Sequence, residues 1–224
     1  VQEAVEVFRQ EKGIFAIRCT AHLWQLVMKD MMSEVPFLTK GEGALTQVLN
    51  ECVRTPEREA KYEQMFAMVN PNERMKLLSR IAETRWNTRL DSWNSVLEPR
   101  ARRTIEALAS AKLITGLTAA EWEAMEKCVL FLTPFAQATD VAQSDGAGFA
   151  VLLEHWEKCA AHIDNMEGLP TLKVASQKAR RIMKERKIYF DNPAVELYKF
   201  LNPCTDHPNI TEAKRAESFE LLIR

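Results

Sequence analysis

The sequence predicts a mainly helical protein, and three observations carry that expectation. Only seven of its 224 residues are glycine. Ala, Leu, Glu, Lys, Arg and Met, which lose little freedom in a helix, are abundant. Between breakers, apolar residues recur at three- and four-residue intervals, the period of one helix face. Against this, Ile14-Phe15-Ala16-Ile17 behind Gly13 is the one strong strand candidate.

Taken in order, Val1, Ala4, Val5 and Phe8 close an amphipathic helix that Gly13 breaks. The strand, over 14–18, delivers Arg18, Cys19 and His22 into a helix over 20–32 whose stripe is Trp24, Val27, Met28 and Met31, bounded by Pro36. Lys40-Gly41-Glu42-Gly43 reads as a break, after which Leu45, Val48, Leu49, Cys52 and Val53 predict a helix stopped by Pro56. Tyr62, Met65, Phe66 and Val69 predict the next, ended at Asn70-Pro71, and Met75, Leu78 and Ile81 predict a short helix over 73–81. Trp86, Leu90, Trp93 and Leu97 share one helix face. Pro99 interrupts that helix, and Ile105, Leu108 and Leu113 resume the pattern.

Thr118-Ala119-Ala120-Glu121 is a capping box, since hydroxyl and carboxylate can both satisfy amides at a helix start. Trp122, Met125, Val129 and Leu132 form the stripe behind it, and Pro134 is expected to bend or end the helix. Residues 143–148 are the clearest loop. Leu152, Trp156, Cys159, Ala160 and Ile163 predict a helix that Gly168 and Pro170 close. Residues 172–189 form a basic helix in which Lys173, Lys178, Arg180, Arg181, Lys184, Arg186 and Lys187 are opposed only by Glu185. Asn192-Pro193 opens a last short helix to Pro203, followed by a loop and the start of another helix.

Thirty basic residues nearly cancel thirty-one acidic ones, so a net charge of -1 exerts no global pull on nucleic acid and any such binding needs a local patch. Five cysteines, odd in number and scattered, point to free thiols in a reducing compartment. No apolar run approaches the ~20 residues of a membrane span, and no signal-peptide pattern opens the chain. The ends, Val1 and Leu221-Leu222-Ile223-Arg224, suggest a fragment.

Several constellations invite a chemical reading. Cys19-x-x-His22 could be half of a zinc site but lacks a second pair nearby. His155, Cys159 and His162 share one helix side, flanked by core-type residues, and packing is the plainer account. Asp30, Asp91, Asp140, Asp145 and Asp191 do not follow an apolar strand, as two-metal ligands would. Phosphate-cradling glycine loops and nucleophile elbows are both missing from the sequence. The cluster Arg100, Arg102 and Arg103, and Lys178, Arg180, Arg181 and Lys184 of the basic helix, are candidates for contacts to a nucleic-acid backbone, or else solvated faces. Arg85 beside Trp86 suits a phosphate next to a stacked base, or core packing.

Three segments in series resemble the hAT family of DNA transposases: Arg18-Cys19-Thr20-Ala21-His22-Leu23-Trp24-Gln25-Leu26-Val27, Glu83-Thr84-Arg85-Trp86-Asn87-Thr88, and Phe131-Leu132-Thr133-Pro134-Phe135-Ala136-Gln137-Ala138-Thr139. Tyr198-Lys199-Phe200-Leu201-Asn202-Pro203 is similar to a later segment of that family. Gln25 departs from the family, which carries Asn there. The resemblance implies an RNase H-like core interrupted by a helical insertion domain. Residues 1–35 would hold the end of that core, 36–203 the insertion domain, and 204–224 a linker.

By the same resemblance, Trp86 would stack on a flipped base with Arg85 beside the DNA, and Cys19 and His22 would be structural neighbours of the active site. The three catalytic carboxylates, which bind Mg2+ or Mn2+ in an intact parent, would lie outside this chain, so no catalytic residue, metal or cofactor is expected within it. The expectation is a nuclear, DNA-binding fragment of a transposase or of a domesticated derivative, with a homo-oligomer open and no membrane partner. The alternative is a non-catalytic helical scaffold that binds other proteins.

Overall fold

The computed structural model describes residues 20–81, 87–144 and 149–187. The strand expected at 14–18, Cys19, the segment carrying Arg85 and Trp86, and everything after 187 lie outside the described residues. Within them the protein is mainly helical and contains no strand. The helices are α1 (Thr20–Glu34), α2 (Pro36–Cys52), α3 (Pro56–Val69), α4 (Asn87–Leu97), α5 (Pro99–Ser110), α6 (Ala119–Gln143), α7 (Phe149–Glu167) and α8 (Lys173–Lys187).

Three prolines that read as breakers are helix starts. Pro36, Pro56 and Pro99 each open a helix, where a missing amide costs nothing and the fixed φ suits the first turn. Caps reinforce two of them: the Thr55 hydroxyl accepts from the Arg58 amide at 3.4 Å, and the Glu98 carboxylate accepts from the amides of Arg100 and Ala101 at 3.0 and 3.2 Å. At the head of α6, Glu121 accepts from both the amide and the hydroxyl of Thr118 at 2.7 Å. That hydroxyl and amide hold the Glu121 carboxyl below its ordinary range.

Three expectations are corrected. Of the two outcomes expected at Pro134, a bend or an end, the end is overturned: α6 runs 25 residues through it. The carbonyl that loses its amide partner belongs to Leu130, and His162 of α7 lies beside it. Gly41 and Gly43 do not break the chain but lie inside α2. Gly41 is where α2 presses on α6: a Cβ there would fall well inside contact with Cys128 Sγ and 3.3 Å from the Ala124 carbonyl oxygen. Residues 73–81 are not helical, despite their three-residue spacing. Tertiary bonds satisfy part of this segment's backbone instead: Tyr62 Oη donates to the Lys76 carbonyl at 3.1 Å, and the Ser79 amide donates to Ser95 Oγ at 2.9 Å.

The long α6 is the centre of the packing, with α1, α2, α4 and α7 against it, while α8 covers α7 and α1 and α3 pairs with α5. Trp24 meets Phe135 edge-on at 6.0 Å and Trp156 at 5.1 Å, and Phe131 meets Phe37 edge-on at 5.4 Å. The stripes predicted for α1, α6 and α7 thus share one core. Buried Asn70 ties α3 to α5, its Nδ2 donating to Thr104 Oγ1 at 3.0 Å and its Oδ1 accepting from Arg103 at 2.8 Å. No helix of the described residues is long and apolar enough to cross a membrane.

Candidate functional site

A cleft of about 540 Å³ opens between α1, α2, α4 and α6. Residues 25, 28, 29, 32 and 33 line it because they fall on one face of α1. Met28, Met32, Trp93 and Leu132 make its floor, and Gln25, Lys29, Ser33 and Thr39 its polar rim. Trp93 is fully buried and held by its Nε1–H, which donates to the Gly41 carbonyl at 3.2 Å. One turn earlier on α4, Arg89 donates through Nε to Glu42 Oε1 at 2.9 Å, both side chains being about a quarter exposed (27% and 26%). The other Glu42 oxygen, Oε2, is buried without a hydrogen bond. Ser33 and Thr39 donate to backbone carbonyls at 2.9 and 3.1 Å, so their oxygens are left as acceptors.

A second cleft of about 400 Å³ shares Glu42 and Arg89 with the first, so this ion pair is the wall between them. Thr46, Asn50, Arg54, Arg80 and Ile81 complete it. Arg80 is paired with Glu59 at 2.9 Å. Lys29 and Arg54 are exposed and make no ion pair among the described residues. Lys29, Arg54, Arg80 and Arg89 come from four separate stretches, so no charge run reveals them in the sequence. Ile81 and Arg89, which both line the second cleft, flank in sequence the segment that carries Arg85 and Trp86.

Most of the cations singled out by sequence are engaged within the fold. Arg100 pairs with Glu98 at 2.7 Å and Glu73 at 3.4 Å. Arg102 pairs with Glu106 and Glu126 at 3.0 and 2.9 Å and lies 4.6 Å over the Trp122 ring. Arg103 pairs with Glu73 at 3.0 Å. On α8 the count of one opposing anion holds only within the helix: Arg180 meets Asp164 and Glu167, Arg181 meets Glu34 and Glu185, and Arg186 meets Asp30 at 2.5 Å. Lys178 donates to the Glu34 carbonyl at 2.8 Å, and Lys184 stays exposed. His22 begins on α1, with its side chain outside what the structure describes.

Cys159 of the His155, Cys159, His162 set is fully buried. Burial also lowers the proton affinity of His162, partly opposed by the Leu130 and Phe131 carbonyls. Among the described residues no three His, Cys, Asp or Glu side chains could hold a metal ion. Cys52, Cys128 and Cys159 are free, buried thiols. Burial pushes Cys52 and Cys159 up from 9.0 to about 12. In a Cys19→Ser, Cys204→Ser background the folded protein is therefore expected to resist a water-soluble disulfide reagent at neutral pH and to react once denatured. Because the folded state keeps protons that the unfolded chain releases above 9.0, stability should fall as pH rises from 9 towards 12. Fast labelling of native protein would contradict the burial.

Together the fold and the clefts define a helical domain with two adjoining clefts that share the Glu42–Arg89 pair. Compared with protein-family models, with curated proteins and with solved structures, the chain matches none.

Proposed function

We propose that this chain is the helical, DNA-binding part of a hAT-like transposase or of a protein derived from one. The observation that supports it is convergence. Gln25 from the first resembling segment, Leu132 from the third, and Arg89, directly after the second, with Trp93 one turn further on, line one cleft, although the three segments are far apart in sequence. In this reading residues 1–35 carry the end of an RNase H-like core and 36–203 the helical insertion domain, the parent acts on DNA in the nucleus, and the clefts help position flipped or hairpin DNA. Mg2+ or Mn2+ would serve the intact parent. The described residues do not fit such an ion, and no cleavage step is assigned to them.

The test is Trp86→Ala. Binding to hairpin DNA should weaken by about 1 to 3 kcal/mol, the worth of one base stacked on an aromatic ring, with unfolding unchanged. Wild-type affinity at wild-type stability would remove the stacking role.

The pairing of the α8 cations supports a second reading, a protein-binding scaffold, helped by exposed Met68, Leu77 and Val174. A salt titration separates the two, since phosphate contacts lose affinity steeply with salt and a scaffold binds little DNA at any salt.

A further inference from the structure

We propose that the two clefts joined across the Glu42–Arg89 pair form a groove for single-stranded nucleic acid, with phosphates at Arg54, Arg89 and Lys29 and one base in the larger cleft. The proposal rests on the DNA-binding reading above and moves the contact surface away from α8. Charge is the first argument: Glu42 is the one carboxylate among the residues lining either cleft, against Lys29, Arg54, Arg80 and Arg89. Glu42 engages Arg89 through Nε, so the two terminal guanidinium nitrogens can fork onto a phosphate while Glu42 holds the side chain in place. Arg80 is occupied by Glu59, which leaves Lys29 and Arg54 as the unpaired cations, one in each chamber.

Size and lining chemistry are the second argument. At about 540 Å³ the larger cleft is in the range of small-ligand sites and has room for a nucleoside but not for a paired duplex. Its floor of Met28, Met32 and Leu132 offers apolar contact to a base face, and the oxygens of Ser33 and Thr39 accept from base-edge donors.

The experiment is fluorescence anisotropy with a labelled oligothymidine of about 12 nucleotides and, in parallel, a labelled DNA hairpin. Lys29→Ala with Arg54→Ala should weaken single-strand binding by about tenfold or more at low salt, and flatten the slope of log affinity against log salt by about 1.4, about 0.7 for each cation removed. Neither side chain makes an ion pair among the described residues, so the circular dichroism spectrum should be unchanged. Lys158→Ala, on α7, removes an exposed cation outside the groove and should bind as wild type. If the double variant binds as tightly as wild type, the groove is misplaced and the DNA-binding reading stands. Wild type that binds the hairpin but no single strand also overturns the groove alone. Wild type that binds neither at low salt overturns both.

Discussion

Trp93→Ala is expected to lower the unfolding free energy by about 3 to 5 kcal/mol, the range for removing a large aromatic from a packed core. Trp93 is fully buried where α4 faces α2 and α6, and its indole N–H donates to the Gly41 carbonyl. The substitution removes the ring's burial, opens a void and leaves that carbonyl without its donor. Against a total stability of about 5 to 15 kcal/mol for an ordinary domain, this is a large fraction. Trp93→Phe keeps most of the apolar volume and loses the donor, so it should cost about 1 to 3 kcal/mol. Urea unfolding followed by circular dichroism reads both. A loss under about 1 kcal/mol for the alanine variant would mean that Trp93 is not the packed centre of this face.

Gly41→Ala and Gly43→Ala should shift stability in opposite directions, although the two glycines are two residues apart in one helix. Helix propensity alone favours both changes by about 1 kcal/mol. At Gly43 a Cβ meets nothing within 4 Å, so that gain should appear. At Gly41 the Cβ collides with Cys128 Sγ and crowds the Ala124 carbonyl, and the expected loss is about 1 to 3 kcal/mol. Adding Cys128→Ala to Gly41→Ala removes the colliding atom and should recover part of the loss, a coupling that a double-mutant cycle measures. Stabilisation by Gly41→Ala alone would show that α2 and α6 are not in close contact there.

These two glycines show what the sequence hides. Both read as punctuation, because backbone freedom is the only property a glycine displays in one dimension. Whether a missing Cβ serves a turn or a close helix contact depends on what faces it, and Cys128 is 87 positions from Gly41. Residues 73–81 hide their state for a related reason: a spacing of three suits a helix, yet the segment is not helical and bonds with Tyr62 and Ser95 hold it in place. The core was more legible. Trp24, Trp93, Trp122 and Trp156 all fall on predicted stripes and all are buried, since periodicity along a helix is a local property of the chain.

The candidate site was least legible of all. Counting charges along the chain pointed to α8 and to Arg100, Arg102 and Arg103, and each of those three arginines and most of the α8 cations have partners. The groove cations, Lys29, Arg54, Arg80 and Arg89, drew no notice because each is isolated in sequence. By itself the sequence determined most of the helices and their apolar faces, because those follow from the backbone and from neighbours within a turn. The tertiary structure alone decided which charges are spent internally and which stay unpaired among the described residues. Coulomb attraction acts through space, and Arg181 finds Glu34 across 147 positions while Lys29 makes no ion pair among the described residues.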